Sequence, residues 1–385
     1  MIVQELKKIF DIKRVIMIAI FAALFYFLFF RLNVGIPAYS SERVVLEASL
    51  ELIEKYGVSM DETEFRDFLA NSIDTEESKI DIWIKGNEEY TQLGIESYGD
   101  LLEKRDSLPD ADAANLTSQI LEKFTLDEQQ AAMDHAFREG YLNRIIEAYD
   151  TEQDQPAAYY SEMPEQADKR IAERNQEEVY SLMPYSVMAN YLRILPDFAC
   201  FLFISMILLI VPYSVKDTVE GIPILQYASP KGCGYYWKKI AAVFISSLVL
   251  CATEMFFFAL MLDQNGAFSF VDCFVSGFGN SFITFAKLTF GQYIVISLAY
   301  IMIIGLCLSM ITYGLSSCAH NYISAMAFQI PAIIFSIIIS LALMPHFAEI
   351  TQNIMLLYMI LFIYIFIAVI GNMIRFLSIK FYGYF

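Results

Sequence analysis

Two absences organise this sequence. Between residues 33 and 192 there is no cysteine, and from Leu288 to Ala348 there is no Asp, Glu, Lys or Arg. The first excludes a disulfide framework for that segment, whatever compartment it faces. The second excludes a water-exposed surface, because a charge-free run of this length holds two membrane spans of about 20 residues each. Histidine is scarce as well: His135, His320 and His346 lie far apart, and no Cys/His spacing matches a zinc site. The sequence contains no GxxxxGK(S/T) loop, no HExxH and no GxSxG. These absences remove P-loop ATP binding, metalloprotease and serine-hydrolase chemistry, so the chain is not expected to be an enzyme or to carry a metal. Clusters of Lys and Arg that could hold phosphates are missing, which disfavours nucleic acid as a partner.

What is present is apolar. Hydrophobic residues make up 57% of the 385 and the mean hydropathy is positive, as in a polytopic membrane protein. The net charge of −18 is concentrated in one place. Residues 33–192 hold 35 Asp/Glu and 13 Lys/Arg, or −22, while the remainder holds 9 and 13, or +4. Two bodies follow: an acidic, water-facing domain at 33–192 and a slightly basic membrane body at 193–385.

The fold class expected is an all-α polytopic membrane protein with six spans: Val15–Leu32, Ile194–Val211, Ile240–Leu262, Gln292–Tyr313, Tyr322–Met344 and Ile354–Ile374. Residues 316–322, "SSCAHNY", would turn between the fourth and fifth spans, and Pro331 would kink the fifth. Residues 1–14, "MIVQELKKIFDIKR", place Ile2, Val3, Leu6, Ile9 and Phe10 on one helical stripe with Lys7, Lys8 and Lys13 off it. That pattern predicts a helix lying in the membrane surface. The run that follows, residues 15–32, reads as a retained span, not a cleaved leader. Lys7, Lys8, Lys13, Arg14, Lys216, Lys231, Lys238, Lys239, Arg375 and Lys380 flank the spans on one side, against Lys287 on the other. The positive-inside rule then puts both termini in the cytoplasm and the acidic domain outside.

The acidic domain reads as mostly helical. "ERVVLEASLELIEKYG" has helical spacing and stops at Gly57; "DETEFRDFLANS" opens with acids, as helices prefer. Thr125 with Glu128 makes a capping-box pattern, and "QADKRIAERNQEEVYSLMP" predicts a helix running toward the second span. "KIDIWIKGN" alternates and fits either a strand or a continuation of its helical flanks. The acidity fits either a solubilising surface or a field that steers cationic substrates.

Between the second and third spans lies a segment, 213–239, too charged to cross a membrane and too short to be a domain. Within it "EGIPILQYASPK", residues 220–231, resembles the stretch that ABC-2-type transporter permeases carry between those spans: a Glu, a Gly, hydrophobic residues and a Ser-Pro turn before a basic helix start. Glu220, Gly221, Leu225, Ser229, Pro230 and Lys239 match; Pro223 departs from the pattern. The amphipathic N-terminus is similar to that family's elbow helix, and "LTFGQY", 288–293, to the start of its fourth span. A helical domain between the first and second spans is similar to a bacterial branch of the family.

The resemblance implies a permease subunit in a bacterial plasma membrane, exporting a peptide, an antibiotic or a lipid. It implies an ATP-binding cassette partner, in two copies, that holds ATP and Mg, with no cofactor in this chain, and a second permease, the same or homologous. It implies that Glu220, Gly221, Leu225 and Tyr227 face the ATPase as part of a coupling helix, a helix-in-groove mode of recognition. The alternative is a mechanotransmitting or receptor-like subunit that works its outer domain without moving cargo. Two acids inside spans, Glu254 and Asp197, are costly unless they face protein or a wet cavity. Glu254 fits either the lining of a translocation pathway or a structural hydrogen bond. Asp197 fits either the same pathway or a pair with Arg193, four residues away on one helix face.

Overall fold

A computed structural model describes residues 2–31, 33–34, 41–59, 62–86, 88–109, 138, 140, 142, 164–177, 181–222, 232–277, 282–319 and 321–382. The described residues form helices joined by turns; extended pairing among them is confined to two isolated bridges, Ser59 with Ser181 and Thr284 with Glu349. The protein is an all-α polytopic membrane protein. Six helices are long and apolar enough to cross a membrane: Ile12–Phe30, Tyr185–Val219, Gly234–Gln264, Phe290–Ser316, Tyr322–Leu343 and Ile354–Phe381.

The chain divides into two compact units. The first comprises Met1–Gly35, Val187–Val271 and Ile283–Phe385; the second comprises Ile36–Ser186 and Asp272–Phe282. The second therefore takes in a stretch from beyond residue 192, after the third span.

In the first unit, α1 (Ile2–Ile9) is separated from α2 (Ile12–Phe25) by Asp11, whose extended backbone (φ −60°, ψ 137°) breaks the helix. Arg14 secures the bend by donating from Nη1 to the carbonyls of Lys8 (2.5 Å) and Ile9 (3.2 Å), satisfying acceptors that a helix C-terminus leaves open. A π-helical turn, Tyr26–Phe30, extends α2. The central element is α8 (Tyr185–Val219). In its most apolar stretch 78% of residues are buried, against 11% for the first span. A helix hydrophobic on every side belongs in the middle of the bundle, and α8 is that helix. Its neighbours are fixed by aromatic contacts: Phe201 stacks on Phe21 of α2 at 5.6 Å, and Phe198 stacks at 4.1 Å on Phe258 of α9 (Gly232–Gln264). Tyr191 meets Tyr293 of α10 (Phe290–Ser316) edge-on at 5.8 Å. Such pairs contribute roughly 0.5–1.5 kcal/mol each beyond area burial.

Helix α10 also packs against α9, α11 (Tyr322–Leu343) and α12 (Ile354–Tyr382). Capping boxes start two of these helices, Thr289 with Gln292 and Asn321 with Ser324. Arg375 of α12 closes the other end of α10, donating to the Ser317 carbonyl at 3.0 Å, where a cation is favoured. Phe362, Phe366 and Val369 of α12 point outward, an apolar face that requires hydrocarbon around it.

The second unit contains α3 (Ser41–Tyr56), α4 (Glu62–Lys85), α5 (Glu88–Gln92), α6 (Tyr98–Asp106) and α7 (Pro164–Glu177). Gly57 ends α3 at φ +84°, as the sequence predicts. "KIDIWIKGN" is helical through Lys85, so its alternation did not make a strand. Ile84, Tyr90 and Ile95 form a small buried core. Residues 272–277 are held within this unit by Arg174, which donates from Nε to the Ser276 carbonyl at 2.7 Å, and by Ser181, which accepts from the Phe274 amide at 3.0 Å. Thr125 and Glu128 lie outside the described residues.

Candidate functional site

The segment predicted at 213–239 is shorter than expected as a connection. Helix α8 continues to Val219 and α9 starts at Gly232, because "SVKDTV" and "GCGYYWKK" both accept helical geometry. Glu220 is exposed and pairs at 4.0 Å with Lys216, one helical turn back. Gly221 adopts φ +70° and its amide bonds the Thr218 carbonyl at 3.1 Å, the left-handed stop that closes a helix. Leu225 and Tyr227, like Pro223, lie outside the described residues.

At the root of this connection sits a chain of buried charge. Asp217, near the end of α8, receives Lys239 of α9 at 2.5 Å and Lys8 of α1 at 3.8 Å. Lys8 also pairs with Glu5 at 3.2 Å, and Glu5 accepts a hydrogen bond from the Tyr213 hydroxyl at 2.8 Å. Glu5, Asp217 and Lys239 are each under a tenth exposed. Lys239 and the partly exposed Lys8 balance the two acids, which is what makes the burial of Glu5, Asp217 and Lys239 tolerable. The cluster ties α1, the end of α8 and the start of α9 into one piece. Lys239 counts in the sequence as a flanking surface charge; in the structure it is an interior ion-pair member. One signal pointed to Glu5: it is the acid lying on the apolar stripe of α1, beside Ile2 and Ile9. Asp217 and Tyr213 gave none, since their partners come from other helices.

A second polar network lies nearby. Asn372 of α12 donates to the Met310 carbonyl at 3.0 Å and accepts from the Tyr236 hydroxyl at 3.0 Å, joining α9, α10 and α12.

Glu254 is placed differently. It lines a cavity of about 660 Å³ between α2, α8 and α9, whose other lining residues include Ala19, Ala22, Phe201, Phe257 and Leu260. It is 6% exposed, and neither carboxyl oxygen has a hydrogen-bond partner. The Ser205 hydroxyl is a neighbour of this carboxyl group, but its proton goes to the Phe201 carbonyl at 2.9 Å. Ser247, two turns along the same face of α9, is also buried without a partner. Asp197 is half-buried on α8 and does not line this cavity, so the two intramembrane acids are not brought together there. Arg193 is exposed and forms no ion pair with Asp197. Among the described residues no three His, Cys, Asp or Glu side chains gather as a metal site. No protein family, curated protein or solved structure matches this chain.

Proposed function

We propose that this protein is the permease subunit of an ATP-driven transporter of the ABC-2 type, in a bacterial plasma membrane with both termini cytoplasmic and the acidic unit outside. The observation that carries the reading is the ion-pair cluster at the root of the 220–231 connection. A partner ATPase docked on that connection would push on a point joined through Asp217, Lys239 and Lys8 to three membrane elements at once. A surface loop touching only headgroups has no need of buried, paired charges beneath it. Glu220, where the connection begins, is exposed, and the sequence resemblance across 220–231 supports the same docking. Export of a peptide, an antibiotic or a lipid is the activity this reading favours.

The experiment is reconstitution with the ATP-binding subunit. Glu220→Lys should leave the folded yield intact and uncouple ATP hydrolysis from transport. Full coupled transport in Glu220→Lys and in Leu225→Asp contradicts the docking assignment.

One observation favours a second reading, in which the ATPase works the outer unit mechanically. That unit is built from two stretches, 36–186 and 272–282, and so is continuous with spans one to four. Transport-independent, ATP-driven changes in the acidic unit would support this alternative.

A further inference from the structure

We infer that the cavity around Glu254 is a binding site for an amphiphilic organic cation: an ammonium with N–H donors on an apolar body. The inference deepens the proposed permease function by naming the class of molecule the pathway would take. It does not need transport to be measured.

Three features of the cavity define the ligand. Its volume, about 660 Å³, lies within the range of small-molecule sites. Its walls are apolar, with the small side chains of Ala19 and Ala22 on α2 facing the bulk of Phe257 and Leu260 on α9. At its wall stands one carboxyl group, 6% exposed, with neither oxygen hydrogen-bonded. A buried acid without donors is costly, and a ligand that brings N–H donors and positive charge removes that cost. An uncharged apolar molecule fills the volume and leaves the oxygens unsatisfied.

Two other occupants fit less well. A lipid ammonium stays at headgroup level, whereas Glu254 lies about 22 Å along α9 from Lys239 and about 15 Å from Gln264. A second copy of the chain pairing through this face brings no cation, since among the described residues no Lys, Arg or His lines the cavity. It would instead bring another unpaired Glu254.

The test uses the full chain in phosphatidylcholine nanodiscs with two matched fluorescent probes, dansyl hexanediamine and dansyl aminohexanol. They differ only in carrying an ammonium or a hydroxyl. The amine is expected to bind saturably at one site per chain, and the alcohol roughly tenfold or more weakly. Glu254→Gln, nearly isosteric, should weaken the amine by about 10- to 100-fold and leave the alcohol unchanged. Glu254→Asp should retain most of the preference. Ala19→Trp keeps Glu254 and fills the cavity from α2, so both probes should be lost. Equal binding of the two probes, or unaltered amine binding in Glu254→Gln, overturns the inference. So does spontaneous disulfide dimerisation of Leu260→Cys that the amine probe does not prevent, because a second copy then covers the cavity. Amine binding in a chain that associates with no ATPase would leave the site standing and remove the permease reading, so the two fail separately.

Discussion

Lys239 donates to Asp217 at 2.5 Å across 22 residues of sequence, and the pair is buried at both ends of the connection it spans. Breaking a buried pair from one side strands a charge, at roughly 3–5 kcal/mol, whereas replacing both partners with apolar residues is often neutral. Asp217→Leu and Lys239→Met alone should each lower the thermal midpoint markedly in detergent. The double variant should recover most of the loss, giving a large coupling term in a double-mutant cycle. Additive losses would mean that the two residues act independently.

Helix α10 packs tightly on α8 at Gly305. A Cβ placed there would stand 2.5 Å from Cδ2 of Leu202, the far end of a flexible side chain. Gly305→Ala should therefore be absorbed by a rotamer change at a cost of about 1 kcal/mol. Gly305→Leu cannot be absorbed, and should cut the yield of folded protein in size-exclusion chromatography. Leu202→Ala should partly rescue it. Failure of that rescue would place the clash elsewhere.

In the second unit the Asp100 carboxylate is held below the usual carboxylate range by the Ser97 hydroxyl and by the backbone amides of Glu96 and, at 3.0 Å, Ser97. A depressed folded-state value contributes stability that is complete above the unfolded value, about 3.9, and is lost as pH falls through the folded one. Hydrogen exchange across Tyr98–Asp106 should accordingly be flat near neutrality and rise, after correction for intrinsic rates, only below about pH 4. In Asp100→Asn that acid-dependent step should disappear. A step of equal size in the variant would assign it to another group.

Thiol labelling separates two cysteines by environment. Burial, aided by the neighbouring charge of Asp272, pushes the Cys273 thiol up to about 12, while the Ser181 hydroxyl opposes this. Cys318 is exposed between α10 and α11. In single-cysteine variants of the folded chain, a maleimide should modify Cys318 and spare Cys273 until denaturant is added. With an impermeant maleimide, Cys318 should react only from the cytoplasmic side of sealed vesicles. Labelling from the opposite side would invert the proposed topology.

How far these features were legible in the sequence depended on their range. The fifth span could be read to within a residue, because a charge-free run is a near-neighbour signal, whereas the fourth helix begins ahead of Gln292, at Phe290, and the sixth runs on past Ile374 to Tyr382. Helix α8 begins at Tyr185, earlier than Ile194, since "YSVMANYLR" is helical without being apolar enough to register as a span. The inclusion of 272–282 in the second unit left no trace, for its contacts with Ser181 and Arg174 lie roughly 100 residues away. The ion-pair cluster was illegible for the same reason: Tyr213 reaches Glu5 across 208 residues. Glu254 stood out by cost alone, as an acid in an apolar run. That its oxygens lack partners required the positions of α2 and α8.

Docking of an ATP-binding subunit on the 220–231 connection is the step on which the proposed function turns. The most direct measurement is affinity purification of the tagged full chain from its own membranes, with mass spectrometry and an ATPase assay of the eluate. A co-purifying protein that carries a GxxxxGK(S/T) loop and hydrolyses ATP is expected. That protein should be lost from Glu220→Lys and Leu225→Asp chains that still elute as folded membrane protein. A wild-type chain that elutes without such a protein, or a partner equally retained by both variants, would contradict it.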